Sequence, residues 1–140
     1  MINNKILKGE SGIDINRLGA LISAHEKCKL AMGESFESRC KAEIFLNIDD
    51  QHMSEAEEWI KRSINFDVKY AMPWYLGKDC TLYADWFKKK GDIQGAKEQL
   101  TKAIDFFREC AADGWVKKTE QELASLWLLF ESMRFIEIAG

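Results

Sequence analysis

The side chains best suited to chemistry are few and are spaced badly for it. Asp49, Asp50 and His52 fall within four positions of one another with Glu43 upstream, and carboxylates beside an imidazole are a metal-ligating donor set. A helical di-metal centre, however, draws its carboxylates from several helices and adds two Glu-x-x-His pairs, and this chain contains no Glu-x-x-His. The cluster therefore reads as a solvated acidic turn. His25 and Cys28 stand three residues apart, which puts a base and a thiol on one helical face. With no orienting third group and no oxyanion donor nearby, they read as packing residues. Cys28, Cys40, Cys80 and Cys110 are widely separated and form no C-x-x-C pair, so reduced, packed thiols are expected rather than a zinc or redox site. No glycine-rich phosphate loop or nucleophile elbow is present. The expectation is a protein that is not an enzyme, with no catalytic residue, metal or cofactor.

Charge and hydropathy narrow the partners. Twenty basic and twenty-three acidic side chains leave a net charge of -3, which provides no basic footprint for nucleic acid or an anionic membrane. The longest strongly apolar run, residues 126–130, is far below the roughly 20 residues that span a bilayer, and the opening MINNKILKGE has no signal-peptide core. A cytoplasmic protein is expected. At 46% hydrophobic residues over 140 positions, the chain can bury one core, and a single domain, 1–140, follows.

The elements that position these residues are helical. Ala, Leu, Glu and Lys dominate from residue 14 onward and the chain has one proline, Pro73. Turn formers and helix stops divide the chain at Gly33-Glu34-Ser35, at residues 48–52 and 70–73, at Gly91-Asp92 and at Asp113-Gly114. About six helices are predicted, near 14–32, 35–48, 53–68, 73–90, 93–112 and 115–137. Cys80, Tyr83, Ala84 and Phe87 form one stripe, which resumes after the turn at Ala96, Leu100, Ala103, Ile104 and Phe107, so these two helices make a hairpin. Small residues at Ala84, Ala96 and Ala103 let its backbones approach closely. The pattern recurs. Ala96, Glu98, Leu100, Lys102 and Ala103 match Ala56, Glu58, Ile60, Arg62 and Ser63 forty residues earlier, and Ala24, Glu26, Cys28, Leu30 and Ala31 thirty-two before those. Glu26, Glu58 and Glu98, each near a lysine or arginine, read as solvated helix-face charges. Hairpins with two apolar faces are stabilised by stacking on copies of themselves, so the repetition points to a helical solenoid.

The small residues at Ala84, Ala96 and Ala103 and the Gly91-Asp92 turn resemble those of the tetratricopeptide (TPR) family, well over 76–108, fairly over 36–68 and weakly over 18–33. The spacings of 32 and 40 depart from the family's roughly 34, and no proline closes the second helix. Trp74-Tyr75-Leu76-Gly77 lies about a turn ahead of the family's Trp/Leu-Gly slot and is set aside as a decoy. Within the family, the irregular spacing, the helix from Pro73 to Lys90 and ECAADGW at 109–115 resemble the terminal repeat arrays of bacterial multidomain signalling ATPases and nucleotide cyclases. The resemblance implies an all-α fold of antiparallel hairpins stacked in a short right-handed solenoid. Its parts would be the second helix of a partial repeat at 14–33, repeats at 35–68 and 73–112, and a capping helix at 115–137.

The resemblance also implies a non-catalytic protein-interaction module, in which the first helix of each hairpin lines a concave groove for a protein or peptide. By register that lining is Lys78, Thr81, Leu82, Asp85 and Lys89. A small-molecule sensor with an interhelical pocket is the alternative, and a closed pocket would distinguish it. In the last helix, Leu126, Leu129, Phe130 and Met133 are expected to cover the preceding hairpin. Trp127, Leu128 and Phe135 point elsewhere, which suggests an association surface and a homodimer.

Overall fold

The computed structural model describes residues 15–139, and these form an all-α fold of five helices: α1 (Ile15–Ile48), α2 (Met53–Lys69), α3 (Pro73–Lys90), α4 (Ile93–Glu109) and α5 (Asp113–Ala139). Neighbours in sequence are neighbours in space, with α1 against α2, α3 against α4, and the two hairpins joined where α2 meets α3. α5 lies on α4. No helix among the described residues is long and apolar enough to cross a membrane.

Local chemistry accounts for the boundaries. Asp49 accepts from the amides of Gln51 (2.9 Å) and His52 (3.2 Å), capping a single 3-10 turn that leads into α2. Its carboxylate also meets His52 Nδ1 at 2.6 Å, which raises the imidazole's pKa and lowers its own. The acidic turn is thus built around a helix cap. Pro73 opens α3, where its missing N–H costs nothing. Gly91, at a φ of 85°, closes α3, and Asp92 starts α4 by accepting from the Gly95 amide at 2.9 Å. Ala71 and Ala111 leave α2 and α4 with φ of 51° and 55°, a left-handed conformation usually given to glycine. They stand forty residues apart and their flanking amides bond the same way: Met72 N to Asp67 O, and Ala112 N to Phe107 O. The internal repeat therefore includes the turns as well as the helices.

One predicted break is absent. α1 runs unbroken for 34 residues through Gly33-Glu34-Ser35, so two expected helices are one. Glycine in a helix interior is tolerated at a cost of roughly 1 kcal/mol, and Ser35 turns its hydroxyl inward to Asp67 of α2 at 2.8 Å instead of capping a new helix. The side chains of His25, Glu26 and Cys28 lie outside the described residues. Glu58 and Glu98 are exposed.

The repeated small positions, Ala56, Ala84, Ala96, Ala103 and Ser63, are all buried at helix crossings. Between the hairpins, Ala42 and Leu46 of α1, Ala56 and Ile60 of α2, and Leu82 and Trp86 of α3 form one apolar cluster. Trp86 Nε1 donates to the Met53 carbonyl at 2.7 Å, and the Tyr83 hydroxyl donates to Glu57 at the same distance. Gly77, set aside in the sequence with its neighbours, is buried at the α3–α4 crossing. A Cβ there would stand 2.5 Å from the Phe107 ring, so the absence of a side chain is what lets the ring sit there.

Beside the apolar cluster runs a buried polar one. Arg39 of α1 reaches Asp79 of α3 through Nε at 2.9 Å and Asp67 of α2 through Nη2 at 3.2 Å, and Nη2 also donates to Ser35. Ser63 of α2 donates to Asp79 at 2.7 Å. One side chain on α1 is thereby bonded to both helices at the hairpin junction.

The two glycines yield opposite expectations. Gly77→Ala should lower stability by about 1–3 kcal/mol through overpacking against Phe107. Gly33→Ala, with nothing within 4 Å of its Cβ, should raise it by about 0.5–1 kcal/mol through helix propensity. Chemical denaturation of both variants checks the pair.

Candidate partner-binding groove

Lys78, Thr81, Asp85 and Lys88 recur at three- and four-residue intervals and form one stripe along α3. Across from it, α5 presents Lys118, Gln121, Glu122, Ser125, Leu126 and Leu129, and between Lys88 and these residues is a solvent-open cavity of about 410 Å³. A narrower recess bounded by Thr81, Trp115, Lys118, Thr119 and Glu122 shares Lys118 and Glu122 with the cavity and extends it toward the start of α5. The result is an open groove between α3 and α5. Leu126, buried against α4, and the half-exposed Leu129 give it an apolar floor.

Its electrostatics are uneven. Lys78 Nζ lies 4.7 Å from the Trp74 ring centre and 5.6 Å from that of Trp115, and Lys118 Nζ lies 4.9 Å from Trp115. Such contacts are worth about 0.5–1 kcal/mol at exposed sites and leave the positive charge unneutralised. Among the described residues neither lysine has an ion pair. Lys88 has a loose one, 3.5 Å from Asp85. The tryptophan beneath is fixed from the other side: Trp115 stacks on buried Phe107 at 5.5 Å and meets Trp74 edge-on at 5.9 Å. A rigid aromatic platform therefore holds two free ammonium groups at one end of an apolar trough.

The five residues expected along the groove fall in three places. Lys78, Thr81 and Asp85 lie on the stripe described. Leu82 does not: at 7% exposure it belongs to the core between the hairpins, because it is rotated about 100° from Thr81 toward α1 and α2. Lys89 turns toward the first hairpin, where its ammonium donates to the Leu46 carbonyl. The α5 wall, with Trp115, Lys118 and Glu122, was missed in the sequence because that helix was read as a cap and an association surface, from its apolar residues between 126 and 135. The spacing of 115, 118, 122, 126 and 129 carried the same one-face signal as the α3 stripe.

At the far end of α5 the cover is shorter than expected. Leu126 is buried and Phe130 half-buried, but Leu129 and Met133 are about half exposed, because a helix of 27 residues outruns the 17-residue α4 beneath it. Leu128 and Phe135 are 71% and 73% exposed. Trp127 is half exposed and holds the ammonium of buried Lys97 at 3.3 Å from its ring centre, with Phe130 at 4.0 Å on the same ammonium. Near them a second solvent-open cavity, about 520 Å³, lies between α4 and α5.

No family model, curated protein or solved structure matches the chain.

Trp115→Ala should cost about 3 kcal/mol by removing the ring packed on Phe107. Lys118→Glu, at an exposed position, should stay within about 0.5 kcal/mol of the parent. Thermal melts of the two variants separate the platform from the charge it carries.

Proposed function

We propose that this chain is a non-catalytic protein-interaction module, a short TPR-like solenoid that binds a protein or peptide segment along the α3–α5 groove. The observation that carries this reading is the open apolar trough with two uncompensated lysines at its head, a surface with affinity from burial and orientation from charge. Tight hairpins with buried alanines at repeated positions, joined by turns that themselves repeat, support the solenoid part of the proposal. The narrower likeness makes it a relative of the repeat arrays in bacterial signalling proteins, acting in the cytoplasm. The small-molecule sensor reading is less favoured because the cavities of about 410 and 520 Å³ beside α5 open to solvent, whereas small-molecule sites enclose most of their ligand.

A second reading, compatible with the first, is a homodimer through the end of α5. It rests on the exposed large side chains Leu128, Phe135, Ile136 and Ile138 along a helix that has outrun its support. Soluble proteins seldom leave such a run uncovered.

A photo-crosslinking residue placed at Thr81 or Gln121 should capture the partner, while one at the exposed Glu58 of α2, which does not line the groove, should not. Capture confined to Glu58 would overturn the groove. For the dimer, light scattering should report two copies for the parent and one for a Leu128→Lys, Phe135→Glu variant. Because both side chains are exposed, its melt should match that of a monomeric protein; a parent that stays monomeric at high concentration rejects the dimer.

A further inference from the structure

The Arg39 cluster has a lopsided hydrogen-bond pattern. Asp67 Oδ2 accepts from Arg39 Nη2 and from the Ser35 hydroxyl, and Asp79 Oδ1 accepts from Arg39 Nε and from the Ser63 hydroxyl. The two donors to each carboxyl thus fall on the same oxygen. The other two, Asp67 Oδ1 and Asp79 Oδ2, are buried and have no partner. A buried, unsatisfied carboxylate oxygen is costly, and two carboxylates facing one guanidinium leave a net negative charge where no residue is more than 6% exposed.

We propose that Asp67 and Asp79 share one proton between these two oxygens, so that the junction of the two hairpins is complete only while that proton is held. A single proton removes both defects: it neutralises the excess charge, and the protonated oxygen donates to the bare one. Burial first, and then the hydrogen bond to Asp67, push Asp79 up to about 8 against the lowering by Arg39. The groups facing Asp79 are Arg39 from α1 and Ser63 and Asp67 from α2. Tyr75 of α3 lies over the guanidinium at 5.2 Å, and on the α4 side Lys102 bears on the neighbouring Cys80.

The sign follows from linkage. A carboxyl whose folded value lies above its unfolded value of 3.8 takes up a proton on folding. Its contribution is complete below that value, declines as pH rises, and is gone above about 8. Across the window the unfolding constant rises about tenfold per pH unit from this pair. The hairpin junction should therefore loosen as the medium turns mildly alkaline.

Asp79→Asn tests this directly, since the amide accepts from Arg39 and Ser63 through its oxygen and donates to Asp67 as the shared proton does. Denaturation of the full chain at pH 5.5, 6.5 and 7.5 should show the tenfold-per-unit rise in the parent beyond any slope in Asp79→Asn. Carboxyl-carbon NMR of the parent should show one buried aspartate titrating near pH 8. Equal slopes in parent and variant, or all aspartates titrating below about pH 5, would overturn the shared proton. If Asp79→Asn does not fold, the carboxyl titration of the parent decides alone.

Discussion

A single guanidinium placed where three helices meet is the constraint on which the architecture turns. Apolar surfaces such as Ala42, Leu46, Ile60 and Leu82 favour burial but tolerate sliding, since one alkyl contact replaces another at little cost. Arg39 does not tolerate it. Its fork must meet Asp67 and Asp79 at once, and a shift of one residue along any of the helices would leave a charge buried and alone. Whether such a cluster adds net stability is secondary, because charged groups are expensive to desolvate even when paired. What it supplies is register between α1, α2 and α3, and through α3 it sets where the groove wall of Lys78, Thr81 and Asp85 faces.

Features that depend on local pattern were legible in the sequence. The α3–α4 hairpin was read from its stripe and its Gly91-Asp92 turn, and the buried small positions from their recurrence. What failed depended on distant partners. Ser35 beside Gly33 looks like a helix start, and nothing local reveals that its hydroxyl is used by an aspartate 32 positions on. Arg39, Asp67 and Asp79 are each unremarkable charges in a helical sequence, and only tertiary packing brings them together. Leu82 was carried into the groove by a family register, but the helix turns it into the core beside α1 and α2. Gly77 was passed over because its motif was out of phase, although the space it leaves is filled by Phe107.

The length of α1 has a mechanical meaning. α2, at 17 residues, lies alongside at most half of a 34-residue helix, and the Arg39 contact grips α1 well past its midpoint. A rigid rod held near one end is a lever with unequal arms. Ile15 stands about 36 Å from the grip at 1.5 Å per residue, so a tilt of about 10° at the junction sweeps the far end through about 6 Å. Any tilt set at the junction is thereby magnified along the long arm of α1, in proportion to its distance from Arg39.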